Sequence, residues 1–457
     1  MAGSVQRVTD RLPPALADRL ARRLEALAPL GSLAAEEAVV GPEGEEALAE
    51  LAERLKPTYP YGEPSYAGQM LKPPHPIAWA AYAATMLLNP NNHALDGGPA
   101  TAELEREAVG WIADMFGLSD PLGHLTSSGT IANLEALWVA KSLHPEKVIL
   151  SGENAHYTHE RLSAVIGARH EKVPQDARGR MDMDALEARL SRGEVGTVVV
   201  TLGTTSLGAL DDVATALELC SSFDARLHVD AAYGGFFALL ADGREPGVEA
   251  APFRALAGAD SIVVDPHKHG LQPYGCGCVL FADRGVARFY LHDSPYTYFT
   301  SRDLHPGETT LECSRAGAAA AALWATLRAL PLTRAGLGSP VAGGRAAGLA
   351  LADKLRGDLE LVVEPELDIV CGFAGYPSAA AITASSERAF DQLAEAGWHL
   401  AKLRVDTDWL RRSQPWVEAD APTATVLRLC LMKPEHLAVI DELADRVIVA
   451  TTPIESD

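Results

Sequence analysis

The stretch SIVVDPHKHGLQPYGCGCVLF, residues 261–281, sets two short apolar runs around four ionisable side chains. SIVVD (261–265) and GCVLF (277–281) have the apolar composition of strands covered on both faces. Some eleven residues separate them, too few for a crossover helix, so the two strands are predicted to run antiparallel. Between them Asp265, Pro266, His267, Lys268, His269 and Gly270 place a lysine flanked by two histidines at a strand end.

Working outward, short β-rich runs alternate with helical text. KVILS (147–151), TVVVTL (197–202) and RLHVD (226–230) read as further strands, and 130–143, 158–168, 182–192 and 213–223 as helices. That alternation predicts an α/β domain with a mostly parallel sheet. From about residue 340 a second α/β segment follows, with LELVVEP, AAAIT and TVLRLCL as its strands. Toward the N-terminus, Leu12, Leu16, Leu20, Leu24 and Leu27 recur at helical spacing, and EEALAELAERL (45–55) repeats the pattern. Residues 58–76 read as an extended loop, and helices return over 77–88 and 101–116. Three parts result: an N-terminal helical segment with a loop (1–95), a large α/β domain (96–338) and a small C-terminal α/β domain (339–457), with the last boundary in GLGSPVAGG (336–344).

The bulk numbers narrow the partners. The chain has 457 residues, 47% hydrophobic and 22% charged, as expected of a globular protein with a large core. A formal charge of −22 argues against nucleic acid or an anionic membrane as the main partner. Six scattered cysteines form no CxxC pair and no metal-ligand cluster, so buried thiols in a reducing compartment, and no metal, are expected. The first twenty residues lack a continuous apolar core, and the apolar stretch 316–332 is short and broken by Arg328. A cytoplasmic protein is the expectation.

Four strand-end segments carry chemistry. In HLTSSGTIANLEALWVAKSL (124–143) a hydroxyl-rich turn at Ser128, Gly129 and Thr130 opens a helix whose apolar face includes Ile131, Leu134, Leu137 and Trp138. Its free N–H groups suit either a phosphate or an ordinary Ser/Thr cap. RLHVDAAYGGF (226–236) puts Asp230 at a strand's C-terminal end, where ligands of open α/β sheets bind. Asp230 suits a cationic ring nitrogen, with Ala232 small enough for a flat ring to approach, or it caps a helix. Lys268, held near other cations, is expected to lose its proton readily and to form a Schiff base, with His267 donating to a phosphate. His156 in NAHYTHERL (154–162) suits stacking on a planar ring, or capping. A phosphate seat, a ring-nitrogen acid, a stacking ring and a Schiff-base lysine are together what pyridoxal 5′-phosphate needs.

TSSGTIANLEAL, NAHYTHERL, TLGTTSLGALDD, LHVDAAYGGF and SIVVDPHKHG, in that order, resemble the group II pyridoxal-phosphate-dependent decarboxylases. That family includes the aromatic amino acid, glutamate, tyrosine and aspartate decarboxylases. The resemblance runs from roughly residue 60 to 330. It implies the fold type I architecture, with a seven-stranded large-domain sheet, and decarboxylation of an L-amino acid to an amine and CO2. Carried onto this chain, Lys268 becomes the Schiff-base lysine and Asp230 the partner of the pyridine nitrogen. His156 stacks on the ring, Ala232 lies beneath it, and Gly129, Thr130 and His267 hold the phosphate. Thr205 lies near the ring substituents, while Asp265 closes the strand and orients its neighbours. GGPATAELE (97–105) matches the family's small-residue segment, and His93, Tyr66 and Gln69 fall where the family lines its substrate pocket. The resemblance also implies a tyrosine proton donor on a mobile loop, here Tyr296 or Tyr298 in HDSPYTYFTSRDLHPGETT (292–310). It further implies a homodimer with its active site at the interface.

The departures bear on substrate. His269 stands where the aromatic amino acid enzymes usually carry Trp, and Thr130 and Ile131 stand where many relatives have Ser and Glu. Asp-Pro-His-Lys-x-Gly-Leu-x-Pro is closer to the archaeal tyrosine/aspartate decarboxylases. Sphingosine-phosphate lyases carry a related His-Lys-Tyr-Gly pattern, so a carbon–carbon lyase is one alternative. An aminotransferase-like relative is another, with Arg315 as the carboxylate clamp. His93, Tyr66, Gln69 and His269 favour a polar, acidic or phenolic substrate over tryptophan.

Overall fold

The computed structural model describes residues 41–245, 247–291 and 306–452. Its larger sheet has seven strands: β1 (Leu122–Thr126), β2 (Val148–Gly152), β3 (His170–Val173), β4 (Val195–Thr201), β5 (Arg226–Asp230), β6 (Ser261–Val264) and β7 (Gly277–Phe281). Their spatial order is β1-β7-β6-β5-β4-β2-β3. Every residue of β2, β4, β6 and β7 is buried, which is why these strands read as unbroken apolar runs rather than alternating ones. β6 and β7 pair antiparallel, with Ser261 opposite Phe281 and Val264 opposite Cys278, as the short spacing predicts. β7 pairs antiparallel with β1 as well, so β7 alone opposes the direction of the other six. The edge strands β1 and β3 were not foreseen. Both are short, and β3 (HEKV) is polar and partly exposed, the composition that blunts a sheet edge.

Helices α1 (Pro42–Leu55), α2 (Pro76–Met86) and α3 (Pro99–Met115) precede the sheet. Helices α4 (Gly129–Leu143), α5 (Thr158–Val165), α6 (Met183–Leu190) and α7 (Val213–Ser222) connect its strands. The leucine-rich stretch at 11–40 lies outside the described residues. The apolar segment near 316–332 forms α8 (Gly317–Ala329), which packs on α2 and α3. No helix among the described residues is long and apolar enough to cross a membrane.

A second sheet, β10-β11-β9-β8, is antiparallel throughout. It comprises β8 (Leu359–Leu361), β9 (Ile369–Ala374), β10 (Ala401–Asp406) and β11 (Thr423–Cys430). Helices α9 (Gly338–Leu355), α10 (Ala379–Glu395) and α11 (Ile440–Thr451) accompany it. GLGSPVAGG therefore runs into the start of α9. AAAIT is not a strand: residues 379–383 open α10, whose first turn is capped by Ser378 accepting from Ala381 N at 3.3 Å. Three alanines and a serine cap outweigh the β-branched Ile382 and Thr383. One buried apolar cluster contains residues of both sheets, including Val200, Val229, Ile369 and Val426.

Candidate active site

Parallel strands deliver their C-terminal ends to one edge of a sheet. Here the segments after β1, β2, β4, β5 and β6 meet around a cavity of about 170 Å³. Its lining includes Ser128, Gly129, Thr130, His156, Thr205, Asp230, Ala232, Asp265, His267 and Lys268. Asn133, Thr158, Thr201, Gly203 and Tyr233 complete it. The ten residues proposed around one ring and its phosphate thus face a common space.

At the head of α4, Ser128 accepts from Ile131 N at 3.3 Å, so the capping role and a place on the cavity wall coexist. Gly129 is packed so closely against Asp265 that a Cβ would lie 2.5 Å from Oδ2. Gly203 has φ +88 and meets Gly234 N at 2.9 Å from a hypothetical Cβ, so the turn after β4 needs glycine.

Asp230 ends β5 with both oxygens occupied. His159 Nε2 lies 2.9 Å from Oδ2, Asn133 Nδ2 donates to the same oxygen at 3.3 Å, and Ala232 N donates to Oδ1 at 3.1 Å. Burial raises the carboxyl's pKa, but His159, the Lys268 charge and the Ala232 N–H outweigh it and hold the group well below the usual carboxylate range. Asp230 is a carboxylate at every physiological pH.

Lys268 corrects one expectation. Its ammonium is 2.9 Å from Asp265 Oδ2. Burial lowers its pKa, yet the charges of Asp265 and Asp230 outweigh burial and raise it. The turn around the lysine is governed by carboxylates brought in from strand ends, not by the flanking histidines. Burial lowers the pKa of both His267 and His269, which removes the cationic neighbours that the bare sequence suggested.

The family profile described as "Pyridoxal-dependent decarboxylase conserved domain" matches residues 63–373. The chain belongs to this family. Among its relatives, a probable L-tyrosine/L-aspartate decarboxylase of Methanothermobacter thermautotrophicus is 33% identical over 65% of this chain and 78% of that protein. A probable L-aspartate decarboxylase of Halobacterium salinarum is 32% identical over 67% and 80%. The fold matches mouse CSAD with a TM-score of 0.78 at 19% identity, over 97% of this chain and 100% of that one. This pyridoxal-dependent decarboxylase is accordingly an enzyme that removes CO2 from an amino acid with pyridoxal phosphate as cofactor.

The cavity suits that cofactor. His267 Nδ1, Asp265 Oδ1 and Thr201 Oγ1 are buried without a hydrogen-bond partner, an expensive arrangement unless a polar ligand completes it. The head of α4 opens on this cavity, a setting that stabilises an anion. His156 lines the wall while its Nδ1 accepts from Thr158 N at 3.3 Å, so a place on the cavity wall and a capping role again coexist. Gly129→Ala should raise the cofactor concentration needed for half-saturation about tenfold, equivalent to about 1.4 kcal/mol. Absorbance titration of apoenzyme measures it, and an unchanged value would show that the approach to Asp265 is not limiting.

The residues proposed for the substrate fall elsewhere in this chain. Tyr66 is buried, its hydroxyl accepts from Gln69 N at 3.2 Å, and its ring lies under the Lys433 ammonium. Gln69 is exposed and His93 half-buried, and neither lines the cavity. Arg315 Nη1 is 2.7 Å from Glu105 Oε1 and 2.8 Å from the Leu125 carbonyl. His269, the unassigned member of its motif, is buried 3.2 Å from Asp368 Oδ2 and packs edge-on against Tyr233 and Phe237. Tyr296 and Tyr298 lie outside the described residues.

Sequence reasoning missed Asn133, His159, Thr201 and Tyr233. His159 follows His156 by one helical turn, and Asn133 follows Gly129 by one turn; that spacing was the available signal.

Proposed function

We propose that the enzyme decarboxylates L-aspartate or L-tyrosine, with Lys268 as covalent anchor of the cofactor and Asp230 as partner of its ring nitrogen. The observation that carries this reading is the placement of Lys268 and Asp230 on one cavity whose other walls are a helix head and a buried imidazole. Bound there, the cofactor supplies an electron sink for the pair released when a bond to the substrate's Cα breaks. Asp230, held ionised, keeps a proton on the ring nitrogen. His156 and Ala232 bound the two faces of the ring. Ser128, Gly129, Thr130 and His267 hold the phosphate, Thr205 lies at the ring's edge, and Asp265 orients Lys268. The substrate class rests on the likeness of DPHKHGLQP to archaeal tyrosine/aspartate decarboxylases and on the names of the relatives.

A panel of the twenty amino acids, followed for CO2, amine, aldehyde and keto acid, tests this reading. Turnover of aspartate or tyrosine to β-alanine or tyramine with stoichiometric CO2 supports it. Keto acid without CO2 would mark an aminotransferase, and aldehyde a carbon–carbon lyase; either outcome sinks the proposal.

A homodimer is part of the same reading. Helix α1 buries none of its residues, and Leu48, Leu51 and Leu55 line one exposed face at helical spacing. Trp79, Met86, Leu87 and Leu88 on and after α2 are exposed as well. Their joint cover by a second copy fits a family in which His93 and the Tyr66–Gln69 loop serve the active site. Light scattering should give twice the 48.5 kDa chain mass; a monomer at full activity contradicts it. Free thiols, five of six buried, support a reducing cytoplasm.

A further inference from the structure

Asp230 does not stand alone on the sheet edge. Each carboxylate oxygen accepts two hydrogen bonds. Oδ2 has its two, from His159 Nε2 at 2.9 Å and Asn133 Nδ2 at 3.3 Å, while Oδ1 has one, from Ala232 N at 3.1 Å. One acceptor position is therefore left, and it belongs to Oδ1.

The Asn133 arm continues inward. Asn133 Oδ1 is 2.8 Å from His228 Nε2, and His228 Nδ1 is 2.8 Å from Ser261 Oγ. A single assignment of protons satisfies every link. The Ser261 hydroxyl donates to His228 Nδ1, His228 Nε2–H donates to the Asn133 carbonyl, and the Asn133 amide donates to Asp230. The opposite direction would press an amide oxygen against the carboxylate. Burial pushes His228 down to about 3, which agrees with the neutral ring this chain requires. On the other arm, His159 Nδ1 is buried without a partner. The His159 contact with Asp230 therefore runs through Nε2. Two arms, rooted in α5 and in β6, thus converge on one oxygen.

We infer that His159 and the Ser261–His228–Asn133 chain are positioning residues that saturate Oδ2 of Asp230 and turn Oδ1 toward the ring nitrogen of the cofactor. This rests on the assignment of Asp230 to that nitrogen. Both arms fix the carboxylate by hydrogen bonds to one oxygen, and the other oxygen stays available to the ring proton. Loss of either arm frees Oδ2 to take the ring proton in a poorer geometry or to rotate away from it.

The test uses holoenzyme loaded with pyridoxal phosphate carrying 15N in the ring, whose chemical shift reports protonation independently of turnover. In the unaltered enzyme the nitrogen should stay protonated up to about pH 9. His159→Phe should bring its titration into range, lowering the midpoint by at least about one pH unit, a tenfold loss of proton affinity. His159→Gln, which restores an N–H donor, should recover at least half of that shift. Ser261→Ala, remote from the cavity wall, should move the midpoint the same way by about threefold. If His159→Phe holds cofactor with an unshifted 15N signal, or Gln rescues nothing, the inference fails. Should His159→Phe not fold, an unshifted Ser261→Ala enzyme overturns it. Unaltered enzyme that retains no cofactor would instead refute the cofactor seat itself.

Discussion

Lys268→Ala is expected to abolish the visible absorbance of the lysine-bound cofactor and to lower kcat/KM by more than about 10³-fold. Two losses combine. The variant has no amine to hold the cofactor's aldehyde carbon, so retention depends on the phosphate seat and Asp230 alone. It also loses the ammonium that Asp265 holds at 2.9 Å before the cofactor is bound. Removing that cation leaves Asp230 and Asp265 on one cavity wall with no positive partner between them, so cofactor affinity should fall as well. Absorbance spectra and single-turnover CO2 release measure the two effects separately. A variant with an unchanged spectrum would mean that another amine anchors the cofactor, and the assignment of the site would be lost.

Arg315→Ala is expected to cost about 3–5 kcal/mol of stability with little direct effect on substrate recognition. The guanidinium is bound to Glu105 at 2.7 Å and to the carbonyls of Leu125 and Asn92 at 2.8 and 3.3 Å. Glu105 in turn accepts from Leu125 N and Asn92 Nδ2 at 2.9 and 2.7 Å. Side-chain exposures of 7% and 1% leave the carboxylate no access to water once its partner is gone. The pair ties α3 to β1 and to the segment before α8, which is a structural duty. Denaturant unfolding reads the loss, and Arg315→Ala combined with Glu105→Ala should recover part of it, since no unpaired charge then remains. A large rise in KM at unchanged stability would return Arg315 to the role of carboxylate clamp.

What could be read from residues alone follows from where each signal originates. The interior strands were legible because burial on both faces demands unbroken apolar runs such as TVVVT and SIVV. β3 escaped because its exposed edge lacks that demand, and β1 because Gly123, His124 and Thr126 interrupt any apolar run although most of it is buried. The strand-end residues could be placed on one rim because parallel connections put them there whatever the details of packing. Their electrostatics could not. Lys268 has histidines as sequence neighbours, but Asp265 and Asp230 as the charges that set its proton affinity, and that contact depends on how the turn folds back. Asp230 was found from its strand, whereas His159 reaches it across 71 residues of chain, a separation with no periodic signature.

Arg428 on β11 donates to the carbonyls of Thr205 and Ser206, at 2.5 and 3.0 Å, and to that of Gly68 at 3.4 Å. Asp368, just before β9, accepts from the Tyr233 hydroxyl at 2.6 Å. β11 and the residue before β9 thus tie down the turns that border the cavity. During synthesis, the loops after β4 and β5 leave the ribosome well over a hundred residues before Arg428 does. The nascent chain therefore carries an unfinished rim until Arg428 has been made.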